Sequence, residues 1–194
     1  MVFGSFAGLF MTTPAQAGVT PLAVSIVPPV QFPPSDFTIA GARVSVLWGE
    51  HRDVYGFDIG GLGNITDLGF VGVGASGLFN ITHGSTTILG LQAAGLFNAN
   101  TEKTTVVGVQ VAAFNSNTAE SSLIGVGVGP IANYSPFMNI YGLQVGLYNK
   151  ALNVYGFQIG LVNSADSLHG IQIGLINFNR TGMFSVAPII NIGF

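Results

Sequence analysis

Three histidines, His51, His83 and His169, and the run His83-Gly84-Ser85 are the residues whose types invite catalysis in this chain. Histidine beside serine supports nucleophilic chemistry only when the two share a hydrogen bond and an acid orients the base. His83-Gly84-Ser85 falls in a turn-like segment with no orienting acid beside it in sequence. The histidines lie in or beside different connectors, and none has a second ligand-type residue at metal spacing. Cysteine is absent, which removes thiolate metal sites, cysteine nucleophiles and disulfides. The run GFVGVGASG (69–77) imitates a dinucleotide fingerprint, but no helix follows to present its N-terminus to a phosphate. Asn64-Ile65-Thr66 and Asn80-Ile81-Thr82 match a glycosylation pattern and read more simply as turn residues. No catalytic residue, metal or cofactor is therefore expected, and the chain reads as a non-enzyme.

The polar residues that remain recur in a repeat. Gly-x-Gln-x-Gly-Leu-x-Asn runs from Gly156 to Asn163 and again from Gly170 to Asn177. Related units end at Asn64, Asn80, Asn98, Asn115, Asn133, Asn149, Asn163 and Asn177, at spacings of 16, 18, 17, 18, 16, 14 and 14 residues. That spacing is too short for helical pairs and fits one strand and one turn per unit. The connectors ITHGS, ANTEKT, SNTAES, NYSP, NKALN and NSADS collect turn-forming residues and five of the thirteen charges. With period two, Tyr141, Leu143 and Val145 share a face against Gly142, Gln144 and Gly146. Tyr155, Phe157, Ile159 and Leu161 likewise oppose Gly156, Gln158 and Gly160, and Ile171, Ile173 and Leu175 oppose Gln172. Units of nine residues (56–64, 72–80, 90–98, 125–133) carry one more residue than the octets, and a β-bulge is expected to absorb it.

Composition sets the surroundings. The chain of 194 residues is 48% hydrophobic and only 7% charged, with 28 glycines, and its mean hydropathy is +0.58. Ordinary domains carry roughly 25% charged residues. A net charge of −3 offers no basic footprint for nucleic acid. At the N-terminus an apolar run from Val2 to Met11 precedes Pro14 and Ala15-Gln16-Ala17, the pattern of a cleaved signal peptide, although no Lys or Arg stands before it. The expected organisation is a signal peptide over 1–17, a Pro-rich lead-in with a possible first strand over 18–37, and one repeat-built β domain over 38–194.

Two architectures fit a strand every 14 to 18 residues. A soluble β-solenoid would turn its Ile/Leu/Phe face inward and its Gly-Gln-Gly face to water. An antiparallel transmembrane β-barrel of about 10–12 strands with short turns would do the reverse, with the bulky face in lipid. Glycine on a solvated face costs roughly 0.5–1 kcal/mol relative to alanine, whereas inside a narrow barrel it makes room. The barrel is the favoured expectation and the solenoid the alternative. In it Gln144, Gln158 and Gln172 face the lumen. Tyr141, Leu143, Val145, Phe157, Ile159, Ile171, Ile173 and Leu175 face lipid or a neighbouring protomer. The terminal Phe194, preceded by Ile190 and Ile192, resembles an outer-membrane assembly signal. Arg43 and Asp58 fall on the glycine-bearing faces of strands flanking EHRD (50–53), where an antiparallel hairpin would set them opposite one another as an inward ion pair; two separately solvated charges at a rim are the other reading.

The octets GLQVGLYN and GFQIGLVN, with GARVSVLWGEHRDVYGFDIGGLGN (41–64), make residues 20–194 resemble a family of bacterial surface-repeat proteins that are exported and poorly defined in role. The unit 125–133 departs from the pattern, having lost glutamine and gained Pro130, which puts regular pairing there in question. The resemblance implies an envelope protein embedded in the outer membrane and brings no catalytic residues. The expected function is a structural, homo-oligomeric outer-membrane barrel, in contact with membrane lipid and the outer-membrane assembly machinery. The alternatives are a narrow small-solute channel and an exported soluble β-solenoid acting as an adhesin or interaction module.

Overall fold

The computed structural model describes residues 18–194, and the signal segment assigned to 1–17 lies outside the described residues. In chain order the strands are β1 (Val19–Val27), β2 (Val30–Phe32), β3 (Thr38–Ser45), β4 (Trp48–Gly60), β5 (Gly63–Ser76), β6 (Phe79–Thr82), β7 (Ser85–Ala94) and β8 (Phe97–Asn100). They continue as β9 (Thr104–Val111), β10 (Phe114–Asn117), β11 (Ser121–Val128), β12 (Ala132–Val145), β13 (Tyr148–Ile159), β14 (Val162–Asn179) and β15 (Val186–Gly193). The described residues contain no helix.

The chain is a β-solenoid. From β3 to β14 each segment pairs in parallel with the segment one coil later, so identical residues of successive units stack. Gly142, Gly156 and Gly170 are register partners, as are Gln144, Gln158 and Gln172. Antiparallel pairing occurs only at the two ends, β1 with β2 and β14 with β15. The expectation of an antiparallel closed barrel is thus overturned, and porin-like character goes with it. The alternation of side chains had the right period, but period two is shared by both architectures and cannot tell one from the other.

Each coil has two walls. One holds the Gly-x-Gln segments of β4, β5, β7, β9, β11, β12, β13 and β14, and is called here the glutamine wall. The other holds the short stretches that begin at or just before each Asn, including β6, β8, β10 and the first residues of β12, β13 and β14. Segments read from composition as connectors, such as ITHGS and NKALN, therefore supply strands of this asparagine wall. Their small polar residues mimic turn chemistry while making regular parallel ladders. In the long unit 125–133 the additional residue sits at the corner between the walls: the register offset is 17 at Val128–Val145 and 16 at Ala132–Tyr148, which places it at Gly129–Ile131. An in-strand register shift occurs instead between β5 and β7, where Gly72 faces Ile88 and Gly74 faces Gln92. Pro130 occupies the corner of unit 125–133, and β11 pairs with β12 without interruption.

Between the walls lies a stack of apolar side chains two residues before each Gly: Ile39, Val54, Phe70, Ile88, Val106, Leu123, Ile140, Val154 and Leu168, all buried. Burying each contributes about 1.5–3 kcal/mol relative to exposure. Met138, Ala151 and Ala165 pack against this stack. Apart from small alanines such as Ala23 and Ala112, the remaining interior is polar.

Candidate functional site

The repeat explains itself once stacked. At Gly142 the backbone has φ of 140°, and a Cβ there would collide with the carbonyl oxygen of Gly125 one coil earlier. Only glycine allows successive coils to stack at that column. Gly160 plays a second part at the corner, where a Cβ would strike the carbonyl of Gly146.

Asparagine forms an unbroken ladder. Each Nδ2 donates to the Oδ1 one coil on: Asn64 to Asn80 at 3.0 Å, Asn98 to Asn115 at 2.9 Å, Asn133 to Asn149 at 2.8 Å, and Asn149 through Asn163 to Asn177 at 2.8 Å. Each also donates to a main-chain carbonyl at the end of the glutamine wall, as Asn149 does to Ile159 at 3.0 Å. The ladder begins at Asn64 because its register partner one coil earlier is Gly49, which has no side chain to donate. Asn64 Oδ1 is accordingly buried without a partner. Asn64 and Asn80 are buried, so neither presents its amide for glycosylation.

A glutamine ladder runs beside it. Gln172 donates to Gln158 and Gln158 to Gln144, both at 2.8 Å, and Gln110 donates to Gln92 at 2.8 Å. Asn191 of β15 extends it by donating to Gln172 at 3.4 Å. Gly74 and Gly127 stand in the glutamine register and interrupt it. Gln144, Gln158 and Gln172 thus line no channel; they fill the centre.

Arg43 and Asp58 occupy the corresponding layer near the N-terminal end. They are register partners on parallel strands of successive coils, not across a hairpin. Arg43 Nε donates to Asp58 Oδ1 at 2.7 Å and Nη2 to Oδ2 at 2.6 Å, with Arg43 fully buried. Nη2 also donates to Thr66 Oγ1 at 3.2 Å, and Nη1 to the Ile65 carbonyl at 2.7 Å and to His51 Nδ1 at 3.4 Å. Every guanidinium donor has a partner. Because arginine can only donate, His51 Nδ1 must accept, and its Nε2–H donates to the Pro33 carbonyl at 3.2 Å. Burial, and then the neighbouring Arg43, lower the His51 pKa to about 4, against smaller opposing effects of the Pro33 carbonyl and Asp67. His51 is a neutral strut between the core and the Pro-rich N-terminal cap.

His83 does have an acid near it, which its local sequence conceals: Asp67, one coil earlier, lies 3.5 Å from Nδ1. Both side chains are largely solvated, at 55% and 41% exposure. His169 stacks on Tyr155 at 4.7 Å, in a column that continues from Tyr155 to Tyr141 at 4.9 Å. Among the described residues no three His, Asp or Glu side chains gather as a metal site.

The outer surface is the unusual one. Tyr141, Phe157, Ile159, Ile173 and Leu175 are exposed, and Leu143, Val145 and Ile171 half-exposed, all projecting away from the interior. The solenoid alternative as drawn from sequence had these side chains inside and glutamine in water; the fold has the opposite arrangement. Phe194 is fully exposed beyond the end of β15. An assembly role for it was tied to barrel closure, which this fold lacks. Comparison with known protein families, with curated proteins and with solved structures finds no match to this chain.

Two features escape the octet as a sequence motif. The inward apolar stack lies two residues before each unit begins, and the asparagine ladder was legible only as turn punctuation. The cue for both is recurrence at the unit spacing: the residue two before Gly is Val, Ile, Leu or Phe in every unit from Val54 to Leu168.

Proposed function

We propose that this protein is an exported, non-enzymatic β-solenoid that serves as an interaction module of the bacterial envelope, with the exterior of its glutamine wall as the docking surface. One observation carries the reading: the polar side chains that could solubilise the wall are turned inward, and aliphatic and aromatic ones are turned outward. Phe57 at 61% exposure, Phe157 at 47% and Leu161 at 53% belong to one continuous surface spanning many coils. Contiguous apolar patches beyond a few hundred Å² on a folded chain mark interaction sites. Export rests on the apolar run from Val2 to Met11 and the Ala15-Gln16-Ala17 pattern, and envelope residence on the surface-repeat resemblance.

The solvated His83–Asp67 pair gives little support to an enzymatic reading, since no enclosed pocket surrounds it to exclude water. The docking role is tested by retention of the detergent-free protein on a phenyl matrix, compared with Phe157→Asp and Leu161→Asp variants that keep the circular dichroism of the parent. Strong retention of the parent, lost in the variants, supports the reading; equal, early elution of all three refutes it. N-terminal sequencing of protein recovered from the envelope is expected to begin at Gly18.

A further inference from the structure

The outward surface is ordered across its width as well as apolar. In the coil that ends at Leu161, successive outward positions are Tyr155, Phe157, Ile159 and then Leu161 at the corner. The coil before reads Tyr141, Leu143, Val145, Leu147, and one near the N-terminus reads Tyr55, Phe57, Ile59, Leu62. The tyrosines Tyr55, Tyr141 and Tyr155 thus share one column away from the corner, which holds Val71, Val107 and Ile124 in intervening coils and His169 in the last, and leucines dominate the corner itself. From the tyrosine column to the corner, no outward position of the glutamine wall carries a charge. The charged pairs lie away from that surface: half-buried Lys150 pairs with Asp166 at 2.9 Å and Arg52 with Asp53 at 2.9 Å, and exposed His83 faces Asp67.

The apolar surface also turns the corner. Past the leucines, on the asparagine wall, one register column holds Trp48, Phe79, Phe97, Phe114, Tyr148 and Val162. Between the leucine ridge and the Val145–Ile159–Ile173 ridge runs an open groove of about 500 Å³ with Gly146, Gly160 and Gly174 in its floor. Its lining is almost wholly apolar, and the wall's main-chain groups are committed to the parallel ladders. An added β-strand has nothing to pair with there.

We propose, resting on the docking role above, that the partner is a lipid surface: the leucine corner dips into one leaflet, with the tyrosine column at headgroup level and the charged edge in water. A convex apolar corner cannot be covered by the flat wall of a second copy, but hydrocarbon wraps it without hydrogen bonds. From Leu161 to Tyr155 is six residues, about 20 Å of extended chain. That depth matches half a hydrocarbon core of roughly 30 Å together with the interfacial zone where tyrosine concentrates. The protein lies in the leaflet and does not cross it.

Trp48 is the chain's one tryptophan and stands in the column just past the corner, so it reports insertion without labelling. The experiment adds phosphatidylcholine vesicles with brominated acyl chains to the detergent-free protein and follows Trp48 quenching and vesicle flotation. Quenching is expected, with apparent affinity at least about ten-fold weaker in Leu147→Asp/Leu161→Asp and unchanged in Ser116→Asp on the asparagine wall. Absence of quenching and flotation, in a protein that is retained on a phenyl matrix and has the mass of a dimer, overturns the lipid assignment and leaves the docking role standing with a second copy on the wall. Absence of binding to both vesicles and matrix overturns both.

Discussion

Asn149 is an interior member of the longest polar ladder, and replacing it separates the ladder account from one in which asparagine merely suits turns. Its Nδ2 donates to Asn163 Oδ1 at 2.8 Å and to the Ile159 carbonyl at 3.0 Å, while its Oδ1 accepts from Asn133 Nδ2 at 2.8 Å. Asn149→Leu keeps most of the volume and removes these three bonds together with the 3.2 Å bond from Nδ2 to the Gly146 carbonyl. The Ile159 carbonyl retains the Gly146 amide as a donor, and Asn133 retains the Val145 carbonyl as an acceptor. The buried side-chain groups left unmet are Asn163 Oδ1 and one N–H of Asn133. At about 1–3 kcal/mol for each orphaned group, the cost is about 2–6 kcal/mol, a large share of an ordinary domain's stability. Coils contact only their neighbours, so the loss should also uncouple the chain at that point. Denaturant titration followed by circular dichroism measures the first effect, and amide exchange coil by coil the second, with faster exchange expected from Tyr148 towards the C-terminus. Asn149→Asp should cost more, because a carboxylate would face the acceptors Asn163 Oδ1 and the Gly146 and Ile159 carbonyls. Those neighbours would raise its pKa in the folded state, so the excess cost over the parent grows as pH rises above the carboxylate range and shrinks below it. A cost under about 0.5 kcal/mol for Asn149→Leu, which is what a solvated surface site gives, would refute the reasoning.

Other consequences can be measured on the same scale. Gly142→Ala should destabilise by more than the roughly 1 kcal/mol of a tolerated strand glycine change, since its Cβ meets the Gly125 carbonyl at positive φ; Gly127→Gln should be neutral or stabilising in the same melt, because that site has room and completes the glutamine ladder between Gln110 and Gln144. Arg43→Met strands a buried Asp58 and should cost about 3–5 kcal/mol by denaturant titration, with much of it recovered in Arg43→Met/Asp58→Asn. His51 has a folded pKa lowered from 6.5 to about 4, so its contribution is complete above pH 6.5 and is lost as pH falls through about 4; that amounts to about 3 kcal/mol, and a His51→Gln variant should flatten this limb of the stability–pH curve.

How much of this was legible in the sequence follows from the kind of signal each feature leaves. Gln144, Gln158 and Gln172 fall in phase with the glycines, so their sharing a face against Tyr155, Phe157 and Ile159 is a matter of period two alone. Parallel or antiparallel pairing leaves no such trace in one strand. It is written in the stacking of like on like, Asn on Asn along the ladder and Gly on Gly at most units, which an antiparallel hairpin would not align. The asparagine wall stayed hidden because Asn149-Lys150-Ala151 and Asn163-Ser164-Ala165 have turn-like composition while each forms a register-matched strand segment. The partnership of His83 with Asp67 was invisible because the two are neighbours across coils, not along the chain.

Parallel stacking is the premise beneath the ladders, the ordered wall and the leucine corner, and the absence of native cysteine permits a direct test. Tyr141 and Tyr155 are register partners, so their Cα atoms stand about 4.8 Å apart, within disulfide reach. In an antiparallel hairpin centred on Ala151 the partner of Tyr141 would instead be Leu161. Oxidation of Tyr141→Cys/Tyr155→Cys should close a disulfide in the folded protein, read by mass spectrometry of the peptides, and Tyr141→Cys/Leu161→Cys should stay reduced. A disulfide in the second variant and none in the first would contradict the solenoid.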